Sequence, residues 1–245
     1  MLKFLVVVML SIFSLSPYAY SKQSISVVIG LDKPPYSIND GDIGFEVELI
    51  SNIFNRLDYE VEFITAPFGR TAKMLELPNV DAVTTASVVN YADSPYISDT
   101  YITYQNVAVS LRNRNIKLAQ MGDLSEYSIA TFQNADTILG PQFAKAVHKG
   151  NKYIEIAEQK NQLSFLEKNK ADLLVMDINI FNFFNRSFQL DVAIHEIFPP
   201  TKYGMLIKDP ALKTAFNEQF KAYQTTEEYN DLLKKWGIAL AQQSQ

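Results

Sequence analysis

Three aspartates stand where an apolar run gives way to something else. Asp32 follows the run Ile25–Leu31, Asp136 opens a helical stretch, and Asp177 closes the run Ala171–Met176. A carboxylate so placed can hold an ammonium or guanidinium group, and it can equally cap a turn or a helix. For Asp32 the competing role is a turn before Pro34-Pro35. For Asp136 it is the helix dipole, and for Asp177 a cap on a helix over Ile178–Asn185. Thr85 and Ser87 end another predicted strand, with Asn90 in the following loop; their polar atoms suit a ligand or the backbone. Arg70, in Pro67-Phe68-Gly69-Arg70, begins a short helix and can meet an anionic group or a surface acid. Tyr36 offers a ring face to a planar or cationic group, or packs in a core. No spacing here demands general acid–base catalysis. There is no cysteine, and His148 and His195 are the two histidines. That removes thiolate zinc sites, disulfides and cysteine nucleophiles, and leaves no basis for a multi-histidine metal site. The expectation is a set of ligand-binding residues, with no catalytic residue, metal or cofactor.

The elements that must position these residues follow a repeating order. Ile25–Leu31 reads as a strand, Glu46–Leu57 as a helix with Ile50, Ile53, Phe54 and Leu57 on one face, and Tyr59–Ile64 as an alternating strand. Phe68–Leu77 reads as a helix stopped by Pro78-Asn79, and Asp81–Thr85 as a strand. About a hundred residues on, the order returns: strand Tyr127–Phe132, helix Asp136–His148, strand Tyr153–Ile156, helix Gln162–Asn169 and strand Ala171–Met176. Val80-Asp81-Ala82-Val83 and Ala171-Asp172-Leu173-Leu174 open the third strands alike. Two β-α-β-α-β units imply two similar α/β lobes with mainly parallel sheets and a cleft at the strands' carboxyl ends. Gln105–Leu111 and Tyr203–Ile207 are the two strands joining the lobes. A helix carrying Leu212, Ala215, Phe216, Phe220 and Tyr223, then one over Glu227–Trp236, returns to the first lobe. The predicted division is 22–108 with 203–245 for lobe 1, and 109–202 for lobe 2.

Composition sets the compartment. The 245 residues are 47% hydrophobic and 20% charged, with a net charge of -5. An acidic chain does not suit nucleic acid, which wants basic faces. Met1–Ser21 has Lys3, an apolar run Phe4–Leu15 and the small residues Ala19 and Ser21. That is the pattern of a secretory signal peptide cleaved before Lys22, and the run is short for a membrane span. The mature protein is expected in the periplasm of a Gram-negative host, as a monomer.

At this point the motifs resemble a known family. Ile29-Gly30-Leu31-Asp32-Lys33-Pro34-Pro35-Tyr36, Gly44-Phe45-Glu46-Val47-Glu48-Leu49, Val80-Asp81-Ala82-Val83, Ser94-Pro95-Tyr96, Ala171–Asp177 and Lys234-Lys235-Trp236-Gly237 occur in an order similar to that of the extracytoplasmic solute-binding proteins of the polar amino-acid type, family 3. The resemblance implies the type II periplasmic binding protein fold and a small polar ligand between the lobes. It also implies delivery to an ABC permease. It marks Asp32 and Tyr36 as ligand contacts and Asp177 as the partner of a ligand amine. The resemblance fails at the arginine that holds a ligand carboxylate after the third strand, because Ala86–Asp93 has none. It fails again at Asn134-Ala135-Asp136, where relatives often have Gly-Thr-Thr. With Asp32, Asp136 and Asp177 all at expected cleft positions, an amine-bearing ligand is favoured over glutamate, unless Arg70 restores a carboxylate site. Two other readings share the scaffold: a subunit that signals through a membrane receptor, and a lyase similar to cyclohexadienyl dehydratase.

Overall fold

A computed structural model describes residues 22–150 and 152–239, with Phe68 and Gly69 described by their backbone alone. The predicted signal segment 1–21 lies outside the described residues. The first unit runs β1 (Gln23–Gly30), α1 (Phe45–Asn55), β2 (Tyr59–Ala66), α2 (Phe68–Thr71) and β3 (Ala82–Ser87). The β-branched Ile25, Val27, Val28 and Ile29 of β1 are buried, as are Leu49, Ile50, Ile53 and Phe54 of α1. The predicted helix 68–77 is corrected: α2 has one turn and passes into a 3-10 segment, Ala72–Glu76. Short β4 (Ile102–Tyr104), whose alternation spans only three residues, was not expected from the sequence.

After Gln105 the chain enters the second unit through β5 (Asn106–Leu111). There follow β6 (Ser128–Thr131), α3 (Ala135–Ile138), α4 (Pro141–Lys149), β7 (Lys152–Glu155), α5 (Gln159–Glu167) and β8 (Leu173–Asp177). The single helix expected over 136–148 is two, because Gly140 takes a φ of 87° and Pro141 starts a new helix. α6 (Ile178–Phe188) and β9 (Val192–His195) complete this unit. β10 (Thr201–Ile207), α7 (Pro210–Tyr223) and α8 (Glu227–Trp236) return to the first, where α7 and α8 pack on α1.

The two sheets repeat one plan. The first has the order β2-β1-β3-β10-β4, with β1 parallel to β2 and β3, and β10 antiparallel to β3 and β4. The second has β7-β6-β8-β5-β9, with β6 parallel to β7 and β8, and β5 antiparallel to β8 and β9. The molecule is therefore two-lobed and α/β, and each lobe borrows a strand position next to its third parallel strand from a segment that crosses between lobes.

Those crossings sit side by side. Gln105 is the single residue between β4 and β5, and its Nε2 donates to the carbonyl of Phe198 in the return crossing at 2.8 Å. Beyond α8, the Ala239 N–H donates to Asn179 Oδ1 at 2.8 Å, and Asn179 Nδ2 donates back to the Ala239 carbonyl at 3.2 Å. The end of the described chain thus reaches α6 of the second lobe. No helix among the described residues is long and apolar enough to cross a membrane.

Candidate ligand-binding site

Parallel strands place their carboxyl ends on one edge, and here the edges of both sheets meet beside the crossings. From the first lobe come the turn after β1, the amino end of α1 and the end of β3; from the second comes the β8–α6 junction. The turn is closed by Lys33 N–H to Ser37 carbonyl at 2.7 Å and Tyr36 N–H to Lys33 carbonyl at 2.9 Å. It rests on α1, where the N–H of Glu46 donates to the Tyr36 carbonyl at 3.0 Å. Gly44 makes this approach possible. It has a φ of 140°, and a Cβ there would lie 2.2 Å from the Tyr36 carbonyl oxygen.

Asp177 is almost fully enclosed, at 3% exposure. Its Oδ1 accepts from the N–H groups of Asn179 at 2.9 Å and Ile180 at 3.1 Å, which caps α6. The same oxygen accepts from the Tyr36 hydroxyl at 2.9 Å, and Oδ2 accepts from Gln105 N–H at 3.0 Å. Asn179 Nδ2 donates to the Tyr36 hydroxyl oxygen at 2.9 Å. Burial raises the Asp177 carboxyl to about 6, against the pull of these donors.

Glu46 lies on the buried stripe of α1 and is 0% exposed. Its Oε1 accepts from the hydroxyls of Tyr101 and of Thr85, the latter at 3.3 Å, while Oε2 has no hydrogen-bond partner among the described residues. Thr85 holds a φ of 53°, an uncommon conformation for a β-branched residue, and its N–H donates to the Tyr101 hydroxyl at 2.9 Å. Tyr36 stacks on Tyr104 at 4.5 Å, and Tyr203 meets Tyr104 edge-on at 5.2 Å. Burial, then neighbouring carboxylates, holds the phenols of Tyr36, Tyr101 and Tyr104 neutral, with pKa values well above the usual tyrosine range. The Lys33 ammonium lies 4.7 Å from the centre of the Tyr104 ring.

Of the eight residues singled out in the sequence, Tyr36, Thr85 and Asp177 are in this cluster. Asp32 is exposed, and both its oxygens accept turn N–H groups, from Asn39 at 3.1 Å and Asp40 at 2.8 Å. Ser87 Oγ accepts from Asn90 N–H at 3.3 Å in the loop after β3, where Asn90 is exposed. Arg70 is exposed on α2, just past the end of β2. Asp136 bonds His148 Nε2 at 3.1 Å, a contact that holds its carboxyl below the usual range and supplies the partner that the sequence did not reveal for His148. The sequence reading left out Lys33, Glu46, Tyr101, Tyr104 and Asn179. Glu46 had a signal: it occupies the apolar stripe with Leu49, Ile50 and Ile53, where an acid is out of place. Two surface depressions, one beside Asp40 and Phe63 and one beside Glu155 and Lys168, lie apart from the cluster.

The profile of the bacterial extracellular solute-binding proteins, family 3, matches residues 25–239. The chain belongs to this family. No curated protein sequence gives a match. Among solved structures, this family 3 protein is similar to the substrate-binding protein of an amino acid ABC transporter, at 20% identity and a TM-score of 0.64, covering 87% of this chain and 98% of that one. It is also similar to a histidine kinase sensor domain resembling periplasmic binding proteins, at 18% identity and a TM-score of 0.70, with 90% and 99% covered. A third is an ancestral amino acid-binding protein, a precursor of cyclohexadienyl dehydratase, at 19% identity and a TM-score of 0.68, with 87% and 95% covered. At these identities the likeness is one of fold. Family membership makes the protein a solute-binding one with a small polar ligand.

Proposed function

We propose that this family 3 protein works in the periplasm, after removal of residues 1–21, and captures an amine-bearing, amino-acid-like ligand between its lobes for an ABC permease. The observation that carries the reading is the pairing of two buried carboxylates, Glu46 and Asp177, with a stacked pair of neutral phenols where the two lobes meet. Such a setting favours a cation over an anion, by Coulomb attraction and by the ring faces. Ligand contacts from both lobes favour a closed arrangement by as much as they exceed those of the open one. Calorimetry against amino acids, polyamines and neutral sugars tests this. Binding of an amine-bearing compound, with a smaller radius of gyration in solution scattering, is expected. Binding confined to neutral sugars would refute it, and binding confined to glutamate would refute the preference for a cation.

The sensor reading draws support from the likeness to a histidine kinase sensor domain. It uses the same capture step and differs in the membrane partner, so co-purification with a permease or with a receptor separates the two. The lyase reading is disfavoured on chemistry. Burial raises Asp177 to about 6, a useful value for acid–base work, but its oxygens are committed to four protein donors, two of them the N–H groups that it caps in α6.

A further inference from the structure

Lys33 is the one cation in the cluster, and its ammonium has no hydrogen-bond or ion-pair partner among the described residues. It lies 4.7 Å from the Tyr104 ring centre and 5.9 Å from that of Tyr36. An ammonium carries three donors, and ring faces satisfy its charge without accepting those donors linearly. The two carboxylates whose charge reaches it, Glu46 and Asp177, do not close on it. Asp177 already receives four hydrogen bonds, and Glu46 turns Oε1 to Tyr101 and Thr85. Their charges act on Lys33 from a distance, and burial outweighs them, lowering its pKa. The backbone of Lys33 is fixed at both its N–H and its carbonyl by the 33–37 turn. The side chain is therefore delivered to the junction of the lobes by a set backbone, partly buried, with donors unmet.

Resting on the capture reading above, we propose that Lys33 anchors a carboxylate of the ligand, which makes the preferred ligand an α-amino acid of neutral or positive overall charge. The count of charges supports this class. Glu46 and Asp177 against Lys33 leave one uncompensated negative charge when all three are ionised. A zwitterion or a cationic amino acid places its carboxylate on Lys33 and its ammonium toward the acids. A dicarboxylate adds a second anion to a site that already has an excess of them, and a simple polyamine leaves Lys33 unmet and adjacent to another cation.

The test is calorimetry on the mature protein with two matched pairs, L-arginine with agmatine and L-ornithine with putrescine, which differ in the carboxylate. Wild type is expected to bind an amino acid at least about tenfold more tightly than its decarboxylated partner. Lys33→Met is expected to lose about thirtyfold or more for that amino acid, the scale of truncating one member of a buried charge pair. Lys33→Arg is expected to retain most of the binding. Loss of an unpaired, part-buried charge leaves the melting temperature of Lys33→Met unchanged or higher; if that variant does not fold, Lys33→Gln takes its place. Equal amino-acid binding by wild type and the neutral variant overturns the anchor. So does tighter binding of the amino acid by the variant, which would make Lys33 a tethered substitute for a ligand cation. Preference of wild type for agmatine or putrescine overturns the anchor and leaves capture of amines standing. Binding of none of the four compounds, and of no neutral amino acid in the calorimetric panel above, overturns the amine-capture reading and the anchor with it.

Discussion

Replacing Asp177 with asparagine removes a buried charge while keeping an acceptor that still caps α6. Burial raises this carboxyl from 3.8 to about 6 in the folded protein. A difference of about 2 pKa units corresponds to ~3 kcal/mol at 1.36 kcal/mol per unit. Because the folded value lies above the unfolded one, the protonated carboxyl contributes stability that is present below about pH 4 and lost as pH rises through about 6. Asparagine has no such term. The stability of Asp177→Asn relative to wild type should therefore climb by about 2–3 kcal/mol between pH 4 and 7.5. Other carboxyls, such as Asp123, held low by the N–H groups of Ala119 and Gln120, drive the opposite trend. They are common to both proteins and cancel in the difference. Urea unfolding followed by circular dichroism at half-unit pH steps supplies the measurement. A difference that stays flat, or shrinks as pH rises, would refute the reasoning, since it would mean that the four donors outweigh burial.

Three more outcomes are expected. Tyr36→Phe removes a donor from Asp177 and a partner from Asn179, so it should cost about 1–3 kcal/mol. It should also move the pH break of Asp177 upward, because the lost hydrogen bond favoured the carboxylate; an unmoved break would argue against that bond. Gly44→Ala places a methyl group against the Tyr36 carbonyl at a φ of 140° and should destabilise by more than about 2 kcal/mol in the same assay. Asp209→Ala removes the side chain that accepts from the N–H groups of Ala211 and Leu212 at the start of α7. Its expected cost is about 1 kcal/mol by thermal unfolding.

The alternation of strands and helices was legible because each lobe repeats the same periodicities, and because Val80–Val83 and Ala171–Leu174 mark matching strands. Very short pieces and breaks escaped. β4 has three residues, and the break at Gly140-Pro141 was read as helix interior although both residue types signal a boundary. The site was half legible. Asp177 and Tyr36 were found by position, whereas their mutual hydrogen bond spans 141 residues and no local pattern encodes it. Asp32 and Asp136 stood beside Asp177 as candidates in the sequence, since an acid at the end of a strand or the start of a helix caps it or takes a partner by the same chemistry that binds a ligand. Only the surroundings separate them: Asp177 is enclosed, while Asp32 faces solvent and Asp136 of α3 meets His148 of α4. Lys33 was passed over, because lysine is rarely interior.

The chain passes between the lobes at Gln105 and near Phe198, and its end reaches across to Asn179. Hydrogen bonds tie these places together, from Phe198 through Gln105 and Asp177 to Asn179 and Ala239. Attachments set far apart make a door, which swings about the line through its hinges. Attachments gathered at one knot make something closer to a ball joint, whose two bodies can tilt and twist while the knot itself barely moves. Tyr36 and Asp177 belong to that knot, so their contact endures through such motion. The shape of the space between the lobes is then set by groups farther out along the strand ends, where a small rotation sweeps a longer arc.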